Sequence, residues 1–138
     1  MMKKVCLFFA LFVCVMQIVG QPKFDPQKFR SELHQYIITK ANLTDVESKR
    51  LFPIYDEMRE KLRPYHDQIN AIHRKNSTDE NEARKEIIMM SEWEIKMRQI
   101  EKKYHLAMLK AVSAVKLKAV LKAEHQFHRQ YFKRKHVK

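Results

Sequence analysis

The chain contains a single glycine, Gly20, and this scarcity limits what the chain can fold into more than any other feature. Glycine is the residue that most readily adopts positive φ, so loops that need a left-handed backbone are nearly excluded without it. Glycine-rich loops that cradle phosphate groups are excluded for the same reason. The sequence after residue 20 therefore predicts helices joined by short breaks.

Residues 1–20 have the pattern of a cleavable signal peptide. Lys3 and Lys4 form a short cationic start, residues 5–19 form an apolar run, and Gly20 is a small residue before the polar segment that begins at Gln21. The run is short for a membrane span, and an uncleaved anchor is the alternative. We therefore expect a signal peptide at 1–20 and a single helical domain with a basic C-terminal tail at 21–138.

Cleavage would remove both cysteines, Cys6 and Cys14, together with the only glycine. The mature chain would then have no thiol, no disulfide and no cysteine metal site. We find no nucleophile with an evident base, no paired-carboxylate motif and no cofactor loop in the remaining sequence. The sequence therefore predicts a protein that is not an enzyme and that holds no cofactor.

Positive charge is concentrated at the C-terminal end of the chain. The whole chain has a formal net charge of +12, and residues 110–138 contain nine basic residues with Glu124 as their only acidic residue. In an exported protein such a surface suits acidic polypeptides or an anionic membrane surface, and export argues against nucleic acid as a partner.

Capping residues divide the mature sequence into four helices. The first is expected to end near Lys40, the second near Lys75 and the third near Ala111. The expected N-caps, in chain order, are Asp25, Thr44, either Ser77 or Asp79, and Ser113.

The second and third helices carry apolar residues at helical spacing along most of their length. In the second helix this seam consists of Leu51, Tyr55, Met58, Leu62, Tyr65, Ile69 and Ile72. In the third helix the matching inner face consists of Ala83, Ile87, Met90, Trp93, Met97, Ile100, Tyr104, Ala107 and Ala111. The pattern predicts a long antiparallel helical hairpin. Because two thin helices cannot cover all of this seam, we expect a homodimer that buries part of it.

Two prolines, Pro53 and Pro64, interrupt the second helix eleven residues apart. Each removes a backbone hydrogen bond, and their spacing places them on the same side of the helix, so their bends should add. That side is opposite the apolar seam. The hairpin is therefore expected to be curved, with its apolar stripe on the concave side.

The best local candidate for a metal site is the pair His125 and His128, which lie on one face of the fourth helix. Lys122 and Arg129 are within a turn and oppose a bound cation, and Glu124 is the only nearby carboxylate. We therefore assign no metal, and we explain the pair by a partly exposed amphipathic helix.

Two short segments resemble the LTxxQ motifs of the Spy/CpxP family of periplasmic proteins. Leu43, Thr44 and Glu47 match the first motif with glutamate in place of glutamine, which preserves the capping-box chemistry. Residues 112–116 are similar to the second motif, with Ser113 at the capping position and Lys116 in place of glutamine. Both motifs are thus degenerate, and the similarity covers about residues 24–132.

The resemblance implies a curved, all-helical dimer in the periplasm of a Gram-negative bacterium. It implies an ATP-independent chaperone that binds unfolded or misfolded envelope proteins on a concave basic and apolar surface. Methionine suits such a surface because its flexible side chain accepts apolar partners of many shapes. The residues expected to bind clients are Met58, Lys61, Leu62, Arg63, Trp93 and Met97.

Two alternatives remain open. Relatives of this fold act as envelope-stress or heavy-metal sensors, in which case His125 and His128 would be the residues of interest. The third interpretation is a basic amphipathic surface on the fourth helix that docks on the outer membrane, since Phe127, Tyr131 and Phe132 adjoin its lysines and arginines.

Overall fold

The computed structural model describes residues 24–136, with side chains as far as Arg134. Over this range the chain is all-α, and its four helices pack as two pairs, α2 with α3 and α1 with α4. The helices are α1 (Pro26–Ala41), α2 (Asp45–Arg74), α3 (Glu80–Met108) and α4 (Ala114–His136). The predicted signal peptide at 1–20 lies outside the described residues. Within residues 24–136, no helix combines the length and the apolar character that crossing a bilayer requires.

The chain divides into two compact units, Met1–Arg30 and Ser31–Lys138. In the described part of the first unit, the Asp25 carboxylate accepts hydrogen bonds from the backbone N–H groups of Gln27 and Lys28, at 3.0 and 3.3 Å. This satisfies two of the N–H groups left unpaired at the start of α1, so the predicted N-cap is confirmed. The ring of Phe24 lies 5.7 Å from that of Phe29.

The breaks between helices follow the predicted capping chemistry. Thr44 and Glu47 form the reciprocal capping box at the start of α2. Of the two candidates for α3, Asp79 is the cap, because its carboxylate accepts a bond from the Glu82 N–H at 2.9 Å. Ser77 instead donates to the Glu86 carboxylate at 2.7 Å. Asn42, which follows α1, adopts the left-handed conformation with a φ of 51°, as asparagine often does at a helix end.

The helices α2 and α3 run in opposite directions. Near their connection, Lys75 Nζ lies 3.9 Å from Glu86 Oε1. Farther from the connection, the Glu57 carboxylate of α2 lies close to Tyr104 of α3. Desolvation raises the pKa of the Tyr104 phenol, and the Glu57 carboxylate raises it further. Helix α2 remains a single helix through both Pro53 and Pro64.

All buried residues of the second unit lie at one end of the α2 and α3 pair. We call this region the base, defined as residues 31–62 and 104–134, and we call residues 63–103 the distal hairpin. Every residue of the distal hairpin is half-buried or exposed. The buried side chains of the base are Leu33, Ile37, Ala41, Leu43, Leu51, Phe52, Tyr55, Met58, Leu62, Tyr104, Met108, Val112, Leu117, Val120, Ala123 and Phe127.

Aromatic and polar contacts hold α1 in the base. The rings of Tyr36 on α1 and Phe127 on α4 are 5.4 Å apart. The imidazole of His34 stacks on Phe52 of α2 with centroids 3.9 Å apart, and His34 Nε2 lies 2.6 Å from Asp56 Oδ1. These contacts orient α1 across α2 and place α4 beside it.

Candidate functional site

The structure separates the predicted client-binding residues into two groups. Met58 and Leu62 are only 2% and 6% exposed, so they belong to the core of the base rather than to a surface that a client could reach. Lys61 and Arg63 are exposed on either side of Leu62. Trp93 and Met97 are half-buried on the inner face of α3, where the seam of the distal hairpin remains partly open.

A second apolar stripe runs along α3 on the side away from its inner face. We call it the outer stripe and define it as Ile88, Ile95, Leu106 and Leu109, all of which are exposed. Spacings of seven, eleven and three residues keep these side chains on one side of the helix. Sequence reasoning missed this stripe because charged residues surround it, although the seven-residue spacing of Ile88 and Ile95 was a usable signal.

The prediction for Ile87 was wrong. We expected it on the inner face of α3, and it is 60% exposed. The neighbouring Glu86 is half-buried instead, because its carboxylate contacts Ser77 and Lys75 at the start of the hairpin connection. Local polar contacts at the turn therefore determine which residue faces α2.

The charges beside the outer stripe are distributed unequally along α3. Glu92 and Glu94 precede Ile95 in the chain, whereas Arg98 and Lys102 follow it. Arg98 Nη1 also contacts Glu101 Oε2 at 2.8 Å. From the N-terminal to the C-terminal end of the outer stripe, apolar residues therefore alternate with flanking charges, which are acidic before Ile95 and basic after it.

A cavity of about 660 Å³ lies between α2, α3 and α4, where the base meets the distal hairpin. It contains the histidines singled out from the sequence and adds two that sequence reasoning did not connect with them, His66 and His105. Besides Asn70, three kinds of side chain line it. The apolar ones are Met58, Leu62, Leu121 and Phe132, the histidines are His66, His105, His125 and His128, and the charged ones are Arg59, Arg63, Arg98, Glu101 and Glu124.

Arg59 joins α2 to α4 at the floor of this cavity. Its Nη1 lies 3.3 Å from Glu124 Oε1 and 3.2 Å from His128 Nε2, and its guanidinium lies 5.8 Å from the centroid of the Tyr55 ring. Burial, followed by the nearby charges of Arg59, His66 and His125, lowers the pKa of His128 to about 4. Burial and the Glu124 carboxylate raise the pKa of Tyr55.

The pair His125 and His128 does not form part of a metal-binding cluster in the described residues. No group of three or more histidine, cysteine, aspartate or glutamate side chains within residues 24–134 is arranged to hold an ion. The guanidinium next to His128 Nε2 would also repel a cation.

The two motif segments are in direct contact. The Lys116 ammonium donates to Glu47 Oε1 at 2.6 Å and to the Asn42 carbonyl at 2.9 Å. The hydrogen bond from Lys116, followed by the bond from the Thr44 backbone, lowers the pKa of Glu47 to about 2. Ser113 caps α4 as predicted, since its hydroxyl accepts a bond from the Lys116 N–H at 3.2 Å. The residues that replace glutamine in the two motifs thus form one ion pair.

No protein-family model, curated protein or solved structure matches this chain. The similarity to the Spy/CpxP family therefore rests on the two motif segments and on the order of the helices. It remains a prediction, as does the exported location.

Proposed function

We propose that this chain is an ATP-independent, chaperone-like protein of the Spy/CpxP type that acts as a homodimer in the periplasm and binds unfolded or misfolded envelope proteins. The observation that carries the proposal is the distal hairpin, which has Trp93 and Met97 half-buried on its inner face, Ile88 and Ile95 exposed on its outer face, and no buried residue. Large exposed apolar surfaces mark sites of interaction with other molecules. We assign one of these two surfaces to a second copy of the chain and the other to the client.

The outer stripe of α3 fits a second copy of the same chain. In a two-fold antiparallel pairing of α3 with its copy, Ile88 of each chain would meet Leu106 of the other. The same pairing would bring Glu92 opposite Lys102 of the other chain. A two-fold interface repeats each of these contacts, so the apolar and charged segments would match twice.

The partly open seam on the inner face of α3 fits the client. Trp93 and Met97 supply an aromatic ring and a flexible thioether, which adapt to unfolded segments of varied shape. Lys61 and Arg63 are exposed nearby on α2, and their charge attracts acidic segments before apolar contact forms. Pro53 and Pro64 favour a curved α2, which would make this side concave.

Client binding is tested by suppression of aggregation. The mature protein should keep a chemically unfolded protein in solution at a near-stoichiometric ratio without ATP, and added salt should weaken the effect because it screens the basic residues. Replacing Trp93 and Met97 by serine should reduce suppression severalfold. The matched control is Val115→Ser, which removes an exposed apolar side chain from α4. Equal suppression by the double variant and the control would remove the proposed client surface.

The dimer is tested separately by sedimentation at tens of micromolar. Ile95→Glu places two like charges near the two-fold axis and should yield monomers, whereas Val115→Glu should leave the dimer intact. A wild-type chain that sediments as a monomer over this concentration range would rule out the outer stripe as a dimer interface. Edman sequencing of the secreted chain, with Gln21 as the expected first residue, tests export.

The alternative role as a sensor of envelope stress or heavy metals has less support from the geometry. Its only structural basis is the convergence of four histidines on the cavity between α2, α3 and α4. Zinc and copper titrations of the wild type and of the His125→Ala/His128→Ala variant decide the matter. A metal-dependent increase in thermal stability that the double variant lacks would favour the sensor.

A further inference from the structure

We propose that the cavity between α2, α3 and α4 binds an amphiphile with one anionic head group and an apolar tail, such as a long-chain carboxylate. This goes beyond client binding, because the cavity lining contains neither Trp93 nor Met97 and none of the four residues of the outer stripe. It shares only Arg63 with the proposed client surface and Arg98 with the charges beside the outer stripe. Its volume of about 660 Å³ falls within the range of roughly 300–1,000 Å³ that small-molecule sites occupy.

One part of the cavity wall is apolar. Met58 and Leu62 of α2 and Leu121 and Phe132 of α4 are its apolar lining residues. The Phe132 ring is about half exposed and stacks on the His128 imidazole, with centroids 6.1 Å apart. An acyl chain lying here would cover Phe132 and Leu121 and remove apolar surface from water.

The other part of the wall carries charged side chains. The lining contains three arginines, Arg59, Arg63 and Arg98, and two carboxylates, Glu101 and Glu124. Arg63 also contacts Glu60, which lies outside the lining, at 2.8 Å. Arginine binds carboxylates through two parallel N–H bonds, which suits a compact anionic head group. The side chains of Arg63 and Arg98 are themselves exposed, so a head group can reach their guanidinium groups.

The histidines make anion binding depend on pH. His128 faces Arg59 and His66 from α2, Arg98, Glu101 and His105 from α3, and Glu124 and His125 from its own helix. Burial and these positive neighbours keep His128 neutral, and an anion placed beside it would offset the repulsion and favour its protonation. Binding should therefore take up protons, and affinity should rise as pH falls from 8 to 6.

The experiment uses the mature protein and laurate below its micelle concentration, with binding measured by isothermal titration calorimetry. Laurate remains ionised from pH 6 to 8, so a change in affinity over this range reports on the protein. We expect a higher affinity at pH 6 than at pH 8, with proton uptake seen as a heat that depends on the buffer. Dodecyltrimethylammonium, which has the same tail and the opposite charge, should not bind.

Two pairs of variants locate the site. Arg98→Gln removes a cavity arginine and should weaken laurate binding about threefold or more. Arg84→Gln is its control, because Arg84 is an exposed arginine of the same helix that pairs with Glu80 outside the cavity. Phe132→Ala should weaken binding similarly through the tail, and Val115→Ala on the same helix should not. Each variant changes an exposed side chain, so the fold should be retained, and circular dichroism checks this.

Three results would overturn the proposal. The first is equal binding of laurate and dodecyltrimethylammonium, and the second is equal loss of affinity in Arg98→Gln and Arg84→Gln. The third is binding to phosphatidylglycerol vesicles without binding of monomeric laurate, which would assign the same basic residues to a membrane surface. None of these results bears on suppression of aggregation by Trp93 and Met97, so the two proposals fail separately.

Discussion

The base and the distal hairpin are built from the same two long helices, yet only the base has a core. The largest of its almost completely buried side chains are Leu33, Ile37, Leu51, Tyr55, Met108 and Val120. In the distal hairpin the same seam continues through Tyr65, Ile69, Trp93 and Met97, but every one of these residues is only half-buried. The difference arises because α1 and α4 cover α2 and α3 at the base and end before the hairpin tip.

The comparison shows that an apolar repeat specifies a helix face without specifying what covers it. Two helices in contact bury only a narrow stripe, and a third and fourth helix are needed to enclose it. The base is therefore expected to supply most of the stability. The distal hairpin is expected to be the part that opens locally at low free energy and is available to bind another molecule.

The largest predicted effect contrasts two methionines on the inner face of α3. Met108→Ala removes a side chain that is 0% exposed, and we expect it to lower the free energy of unfolding by about 2–5 kcal/mol. Met97→Ala, eleven residues earlier and on the same face, removes a half-buried side chain and should cost less than about 1 kcal/mol. Urea denaturation at low micromolar concentration, followed by circular dichroism, measures both.

Equal losses in the two variants would show that the distal seam is as well covered as the base. If the Met97→Ala loss grew with protein concentration, a second copy of the chain would be covering the seam rather than the outer stripe. Replacing Met89, which is exposed in the distal hairpin, by alanine serves as the control, and no measurable change is expected.

Most of the fold could be predicted because helix boundaries depend on local chemistry. The caps Asp25, Thr44 and Ser113 follow from the hydrogen bonds that a side-chain oxygen can accept from the first turn. The choice between Ser77 and Asp79 could not be made from sequence, since both stand three residues before a glutamate. It depends on Glu86, which engages Ser77 and leaves Asp79 to cap α3.

The candidate site was less predictable because it depends on contacts between distant parts of the chain. In the sequence, Met58 and Leu62 have the same spacing as the seam residues that stay partly open in the distal hairpin. Only the placement of α4 shows that they belong to the core. The cavity joins His66, His105 and His128 from three helices, and no spacing in the sequence links them. In the sequence, Glu47 and Lys116 were recognised only as replacements for glutamine in the two motifs. Their opposite charges were a usable signal that the two residues form an ion pair.

The next effect contrasts two N-caps with the same chemistry. Thr44→Ala removes the cap of α2 in the base and should destabilise the whole protein by about 0.5–2 kcal/mol, because α2 contributes to the core. Asp79→Ala removes the cap of α3 at the tip of the distal hairpin. There the first turn should fray without changing global stability by more than about 0.5 kcal/mol. Urea denaturation gives the global change, and hydrogen exchange of the Glu82 amide gives the local one.

The smallest effect contrasts two lysine–glutamate pairs. Lys116 and Glu47 are 2.6 Å apart in the base, whereas Lys75 and Glu86 are 3.9 Å apart at the hairpin tip. Because the pKa of Glu47 falls to about 2 in the folded state from an ordinary 4.5, its stabilising contribution is complete above pH 4.5 and is lost as the pH falls toward 2.

Lys116→Gln should therefore reduce the fall in the free energy of unfolding between pH 4.5 and 2, which is the acid limb of the stability profile. Lys75→Gln should leave that limb unchanged. Denaturation curves recorded from pH 2 to 6 measure the limb, and the ¹³C shift of the Glu47 carboxyl group reports its midpoint directly. In Lys116→Gln that midpoint should rise but stay below 4.5, because the Thr44 backbone bond still favours the carboxylate. A Glu47 midpoint that does not move would show that the two motif segments are neighbours without being coupled.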